Sequence, residues 1–299
     1  GSGRNAFQPL ALGAVATSLA ATSALGARRG AGCQATAPPL QGKRDPYGGI
    51  ILDPAGLPAD PVAFQAHLDR SLVAWRAEGV RGVWLKVPLE RAHLIGDAVS
   101  RGFIFHHAEK DYCMLTHWLP TDEPSPLPAN ASHQVGVGAL VVNERGEVLL
   151  VQEGVGPLRG RDVWKIPTGI LNAREDFKDA VERECFEETG VPATFEKVIA
   201  IRHAHHAPFG KSDLFFVCLL RAKSSCPFKI QASELAKAKW GDFKEFLQQA
   251  PYPRDTPVWR EFYRACIGED GVVGNVPGLQ MQHLHQRADP TSSRNWIYY

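Results

Sequence analysis

The chain has 299 residues, 44% of them hydrophobic and 22% charged, with 33 Lys and Arg against 32 Asp and Glu. That composition describes an ordinary soluble globular protein, long enough to bury a core and in keeping with two domains rather than one. The charge is unevenly spread: residues 1–44 hold Arg4, Arg28, Arg29, Lys43 and Arg44 and no acid, so the remainder is mildly acidic and lacks the basic footprint of a protein that binds long nucleic acid.

The cysteines, Cys33, Cys113, Cys185, Cys218, Cys226 and Cys266, form no CxxC pair. This spacing argues for a reducing compartment rather than a disulfide scaffold or a zinc ribbon. The apolar run Leu10 to Ala27 is mostly Ala and Gly with Ser and Thr, too poor in Leu, Ile and Phe for a spanning helix, so no membrane association is expected. Together with the scattered arginines it has the composition of an organellar transit peptide, plastid ahead of mitochondrion; a secretory signal or a disordered arm are the competing readings. If residues 1–44 are not a transit peptide, the protein is expected to be cytosolic.

From Asp45 the pattern becomes that of folded chain. A short strand at Gly49 to Asp53 precedes a helix at Pro61 to Gly79, in which Phe64, Leu68, Leu72 and Trp75 recur at spacings of three and four. A strand at Gly82 to Val87, a helix at Pro88 to Arg101 and strands at Phe103 to His107 and Cys113 to Trp118 complete a small α/β domain over residues 45–118. Its Trp75, Trp84, Phe103 and Phe105 are expected in the core. Residues 119–132 hold four prolines and no periodicity and read as a linker. A second domain, 133–266, opens with a hairpin, Gln134 to Asn143 and Glu147 to Glu153, followed by a Gly-rich loop that includes Arg161. Strands are expected at Glu196 to His203 and Leu214 to Arg221, a mainly helical segment at Ser233 to Gln249, and a loosely docked tail at 267–299.

Between the hairpin and those strands lies a helix that carries chemistry. Asn172 followed by Glu175 has the form of a capping box, and Gly190 with Pro192 supplies the stop. At 100° per residue, Phe177, Ala180 and Val181 share one face, which Glu184, Glu187 and Glu188 continue. Three carboxylates at spacings of one, three and four repel one another, so something must neutralise them. A hard divalent cation, Mg²⁺ or Mn²⁺, is the simplest candidate, and Arg183 can reach Glu187 one turn on.

These residues resemble a known family. Gly169, Glu175, Arg183, Glu184, Cys185, Glu187, Glu188, Gly190 and Val191 match G-x5-E-x7-R-E-U-x-E-E-x-G-U, the Nudix box, with Cys185 in a slot that is usually aliphatic. Upstream, Trp164-Lys165-Ile166-Pro167-Thr168-Gly169 is similar to the strand and turn leading into the box, with Thr168 where many members have Gly. The segments DPYGG, RGVWLKVP, GFIFHHAE and ASHQVGVGA resemble a plant and animal subgroup with an acetyltransferase-like domain before the catalytic one. The resemblance covers about residues 45–265. It implies an α+β protein: a Nudix α/β/α sandwich with a mixed sheet, preceded by a small acetyltransferase-like α/β domain.

The resemblance also implies a reaction. Water attacks the pyrophosphate of a nucleoside diphosphate linked to another moiety, with metal held by Glu184 and Glu188, Glu187 sharing a second ion, and the Gly169 carbonyl as a further ligand. Glu175 and Arg183 would support the loop and helix. The box does not fix the general base, for which Glu234 is one candidate. Phe209 is available to stack on a base, and Lys211 and Arg161 to meet phosphate. The expected substrate is an ADP-linked small molecule, ADP-ribose or NADH, cleaved to release AMP; the alternative is a nucleotide sensor or protein-interaction module with weak turnover. Related enzymes are often homodimers, so a homodimer is expected by analogy.

Other motifs fail. Gly210-Lys211-Ser212 lacks the upstream P-loop glycine, whose place His205 holds, and Gly136-x-Gly138 has no third glycine at the dinucleotide-binding spacing. No acetyl-carrier loop occurs in the first domain, which is expected to be structural, regulatory or dimer-forming. His203, His205 and His206, with no Cys partner, favour a loop or substrate contact over a zinc site.

Overall fold

The computed structural model describes residues 37–156, 158–205, 208–248, 262, 264–284 and 295–298. The transit-like residues 1–36 and His206 lie outside them. The chain divides into two compact units between Leu127 and Pro128, within the proline-rich stretch. Among the described residues no helix is long and apolar enough to cross a membrane.

The first unit is a five-stranded mixed sheet backed by helices. Its strands are β1 (Gly42–Arg44), β2 (Ile50–Leu52), β3 (Gly82–Pro88), β4 (Ile104–Ala108) and β5 (Tyr112–Trp118), in the order β1-β2-β3-β5-β4. The helix α1 (Pro61–Ala77) connects the parallel pair β2 and β3, the crossover that parallel strands require. It begins where Asp60 accepts a hydrogen bond from the Ala63 amide at 2.7 Å and Pro61 occupies the first turn. Phe64, Leu68, Leu72 and Trp75 then fall on one face and bury against Val83, Leu85 and Leu115.

Four expectations change here. The folded unit starts before Asp45: the Leu40 amide donates to Ser71 Oγ at 2.7 Å, and β1 pairs with β2, whose outer edge would otherwise be open. The helix expected at Pro88 to Arg101 is a 3₁₀ segment, Leu89–Leu94, followed by the short α2 (Ile95–Val99). Arg91 leaves helical geometry (φ −116°, ψ 18°) and sends its guanidinium to the carbonyls of Leu57 and Pro54. Phe105 is 65% exposed rather than core, because it lies on the outermost strand, where the register shifts between Phe105 and His107. Trp84 is half-buried on the face turned away from α1.

The second unit is a six-stranded mixed sheet with helices on both faces. The strands are β6 (His133–Val142), β7 (Val148–Glu153), β8 (Thr168–Ile170), β9 (Ala193–Ala204), β10 (Ser212–Ala222) and β11 (Leu235–Gly241). Their order is β11-β7-β6-β10-β9, with β8 paired to β6. Among the described strands of this sheet, β6 and β10 alone run parallel; both are buried on two faces, hence their near-continuous apolar sequences. On one face Val137, Ala139 and Val141 pack against Ala180, Val181 and Cys185 of α3 (Phe177–Thr189). On the other, Leu140 and Val142 meet Phe243, Phe246 and Leu247 of α4 (Phe243–Gln248).

The segment expected as mainly helical at Ser233 to Gln249 carries strand β11 ahead of the short helix α4: β11 pairs with β7, setting Ala238 against Val151 and Trp240 against Leu149. The alternation Lys237, Ala238, Lys239, Trp240 has period two, and the pull of an unpaired β7 edge outweighs the helix propensity of Ala and Lys. The tail packs on the second unit as far as Met281. Val198 and Leu279 form a bridge, Lys197 Nζ bonds the Val276 carbonyl at 2.6 Å, and β12 (Met281–Leu284) pairs with β13 (Asn295–Tyr298).

At the end of α3, Gly190 adopts φ 72° and its amide bonds the Phe186 carbonyl. A Cβ there would approach Lys229 Cβ to 2.7 Å. Gly190→Ala is therefore expected to destabilise the protein by about 1–3 kcal/mol, through left-handed strain and displacement of the 229–231 segment. Urea unfolding of the two proteins at equal metal concentration checks this.

Candidate active site

The site is built where β8 turns into α3. Gly169 pairs with Val137 on β6, which fixes the turn against the sheet. A Cβ on Gly169 would lie 1.9 Å from the Glu184 carboxyl carbon, so only glycine lets this strand pass in front of Glu184. The expected capping box is a different device. Glu175 does reach back to the Asn172 amide (2.8 Å), but α3 starts at Phe177 with Asp176 as its cap residue. Glu175 instead grips Arg183 with both oxygens, at 2.6 Å to Nε and 2.9 Å to Nη2. That fork holds the Glu175 carboxyl below the usual range and raises Arg183 further above its own.

Arg183 is the hub of the helix. Its Nη1 donates to Glu184 at 2.8 Å and Glu187 at 3.0 Å, and its Nη2 reaches the Ile170 carbonyl at 3.3 Å. The three box carboxylates are not equivalent. The Glu187 side chain is 53% exposed, Glu184 is half-buried, and Glu188 is only 4% exposed. Burial is the main cause that pushes the Glu188 carboxyl up to about 7; Lys165 opposes it, and the charges of Glu184 and Glu234 add to it. Glu184 is raised likewise, chiefly by burial and against the pull of Arg183. Cys185, in the usually aliphatic slot, is fully buried, and its thiol is pushed up to about 12 by burial, so it serves as a small core residue.

The residues fit a hard cation in one specific respect. Glu188 Oε2 is buried with no hydrogen-bond partner, an arrangement that proteins rarely leave uncompensated. Glu184 and Glu234 are close enough to raise its proton affinity, so negative charge converges on it. Among the described residues no three His, Cys, Asp or Glu side chains are already posed around one point, since Arg183 holds Glu184 and Glu187. Cation capture thus requires those two carboxylates to turn from Arg183, while Glu188 Oε2 already lacks a partner.

Glu234 is exposed in the turn before β11. Its backbone carbonyl accepts the Gly154 amide at 2.7 Å, and the neighbouring Gln231 amide bonds the Glu188 carbonyl at 3.0 Å. This segment is thereby stitched to both the helix end and the start of the loop that carries Arg161, itself exposed. Phe209 is 98% exposed at φ 61°, a conformation costly for a bulky residue. The Lys211 ammonium bonds the Ala131 carbonyl and would have to release it to meet a phosphate.

Lys165 was not singled out in the sequence. It bridges Glu153 at 3.0 Å and Thr168 Oγ1 at 3.2 Å, and its charge offsets that of Glu188. The cue was a lone cation in the segment leading into the Gly169 turn; only its contacts with Glu153 and Thr168 and its effect on Glu188 show that it belongs to the site.

The second unit thus presents a mixed sheet sandwiched by helices, with three acids of one helix behind a glycine turn. Residues 40–119 match the family described as Nudix hydrolase domain, and residues 132–265 match the NUDIX domain. The chain is 48% identical to Nudix hydrolase 8 of Arabidopsis thaliana, covering 85% of this chain and 68% of that one. It is 44% identical to Nudix hydrolase 2 of the same plant, covering 76% and 80% of the respective chains. With the human nucleoside diphosphate-linked moiety X motif 6 it shares 39% identity over 76% of this chain and 72% of the other. The chain belongs to the Nudix hydrolase family and is a Nudix pyrophosphohydrolase.

Two outcomes follow from this geometry. Gly169→Ala is expected to lower kcat about 100-fold or more while leaving the far-ultraviolet circular dichroism unchanged, because its methyl displaces Glu184. In metal-free protein, burial raises the Glu188 pKa from 4.5 to about 7. The folded state therefore favours the protonated form: this contribution to stability is full below pH 4.5 and is lost as pH rises through about 7, by roughly 3 kcal/mol in all. Metal-free Tm should accordingly fall between pH 5 and pH 7.5 more steeply in wild type than in Glu188→Gln, as differential scanning fluorimetry would show.

Proposed function

We propose that the protein hydrolyses the pyrophosphate of an ADP-linked metabolite, ADP-ribose or NADH, releasing AMP and the other phosphorylated half. The observation that carries the metal-dependent part is the buried, unpartnered Glu188 oxygen beside Glu184. Glu184 and Glu188 would hold Mg²⁺ or Mn²⁺, with Glu187 and the Gly169 carbonyl completing the set. Such an ion, when bound, offsets phosphate charge and acidifies water.

The chain's own groups do the rest. Glu175 locks Arg183, and Arg183 holds Glu184 and Glu187 until a cation takes its place. Lys165 keeps a positive charge behind Glu188, so that this buried carboxylate can be ionised at neutral pH. Glu234, on the turn tied to the helix end and accepting a hydrogen bond from Gln231 Nε2 at 3.2 Å, would take a proton from the attacking water. Phe209 offers an exposed aromatic face to a nucleobase, at about 1–3 kcal/mol per stacked base. Lys211 and Arg161 offer cations to the substrate's phosphates.

Assay of AMP release from ADP-ribose, NADH, NAD⁺, ADP-glucose and coenzyme A, with Mg²⁺, Mn²⁺ or EDTA, tests this reading. ADP-ribose or NADH should be cleaved best, EDTA should abolish turnover, and Glu188→Gln should cost about 100-fold or more. Glu234→Gln should lower kcat about 10²-fold or more while leaving metal affinity unchanged. Binding of a nucleotide in the presence of metal, without turnover of any of the panel, would favour a nucleotide sensor instead.

A further inference from the structure

His203 and His205, downstream of the box, take no part in the carboxylate site, yet the fold assembles them with a third histidine that the sequence places far away. His133 begins β6 and His203 is the penultimate residue of β9; β10 lies between these strands, and the two side chains meet across it. Their Nε2 atoms are 2.9 Å apart. Beside them the ring of His205 lies 4.6 Å from that of His203, centroid to centroid.

The opposite edges of two of these rings are tied. His133 Nδ1 is 2.8 Å from Ser132 Oγ, and His205 Nδ1 is 3.0 Å from Ser212 Oγ. A hydrogen bond on Nδ1 fixes ring orientation and leaves Nε2 as the free coordinating atom, the way protein metal sites orient imidazole ligands. Two facing Nε2 atoms can share only one proton, and a cation can take its place. The nearest acid on β10, Asp213, is already engaged by Arg202 at 2.9 Å and Gln134 at 3.2 Å. The donors are therefore imidazoles, which suit zinc, nickel or copper and not the hard ions favoured by carboxylates.

We propose that His133 and His203 form a second metal site, taking a borderline divalent transition-metal ion such as Zn²⁺, with water in the remaining positions and His205 as flanking imidazole. Two nitrogens at about 2.0–2.1 Å from a tetrahedral ion lie about 3.3 Å apart, so the pair opens by about 0.4 Å to accept it. His133 is four residues along β6 from Val137, the partner of Gly169, or about 13 Å at 3.3 Å per residue, which separates this site from the box carboxylates. An ion here pins the strand ends that carry the Phe209 and Lys211 turn.

Equilibrium dialysis of the full chain against Zn²⁺ in excess Mg²⁺, which keeps the carboxylates filled, tests the site. Wild type and Glu188→Gln should each retain one Zn²⁺ per chain, and His133→Ala and His203→Ala should each bind it at least 10-fold more weakly. In long-range ¹H–¹⁵N spectra of wild type, the Nε2 resonances of His133 and His203 should shift together on Zn²⁺ addition, a readout that needs no variant to fold. Zn²⁺ binding unchanged in both histidine variants, loss of Zn²⁺ in Glu188→Gln, or no Zn²⁺ retained by wild type would overturn the proposal.

Discussion

A carboxylate that is almost out of reach of water, with one oxygen unpartnered, is the constraint around which the second unit is organised. Removing such a group from water costs several kcal/mol unless charge of the opposite sign compensates. The protein supplies partial compensation through Lys165 and a backbone hydrogen bond from Thr168, and leaves Glu188 Oε2 without a partner. The surrounding contacts keep this arrangement in place. The Gly169 turn clears room for Glu184, the Glu175–Arg183 fork stiffens the helix, and the 229–235 segment clasps its far end through Thr189 and Glu188 carbonyls.

This arrangement explains why the catalytic helix can be so acidic and still fold. Its apolar face, Ala180, Val181 and Cys185, is driven onto the sheet by burial, and the carboxylates follow because they continue the same stripe. Arg183 then spreads one positive charge over three acids. Without a cation the helix is held by arginine, and with one it would be held by metal, so the same side chains serve both states.

Much of this was legible in the sequence, for reasons that are physical. The box residues sit on one helix at fixed spacing, so their mutual placement depends only on helical geometry. The buried strands β6 and β10, the α1 face and the Gly190 stop were likewise encoded in local periodicity. What the sequence hid was set by tertiary demand. The period-two run at Lys237 to Trp240 is too rich in Ala and Lys to announce a strand until β7 needs a partner. Phe105 reads as core until the sheet order leaves it on an outer strand. The roles of Lys165 and His133 depend on pairings between distant segments, which no local spacing records.

The central claim is that the free oxygen of Glu188 is kept for a divalent cation. Titration of the metal-free full chain with Mn²⁺, followed by electron paramagnetic resonance of the unbound ion, tests it without reference to any substrate. The account predicts saturable Mn²⁺ binding that weakens at least 10-fold in Glu188→Gln and is unaffected by His203→Ala. Equal Mn²⁺ affinity in wild type and Glu188→Gln would contradict it, leaving the buried carboxylate without the partner on which this reading of the site depends.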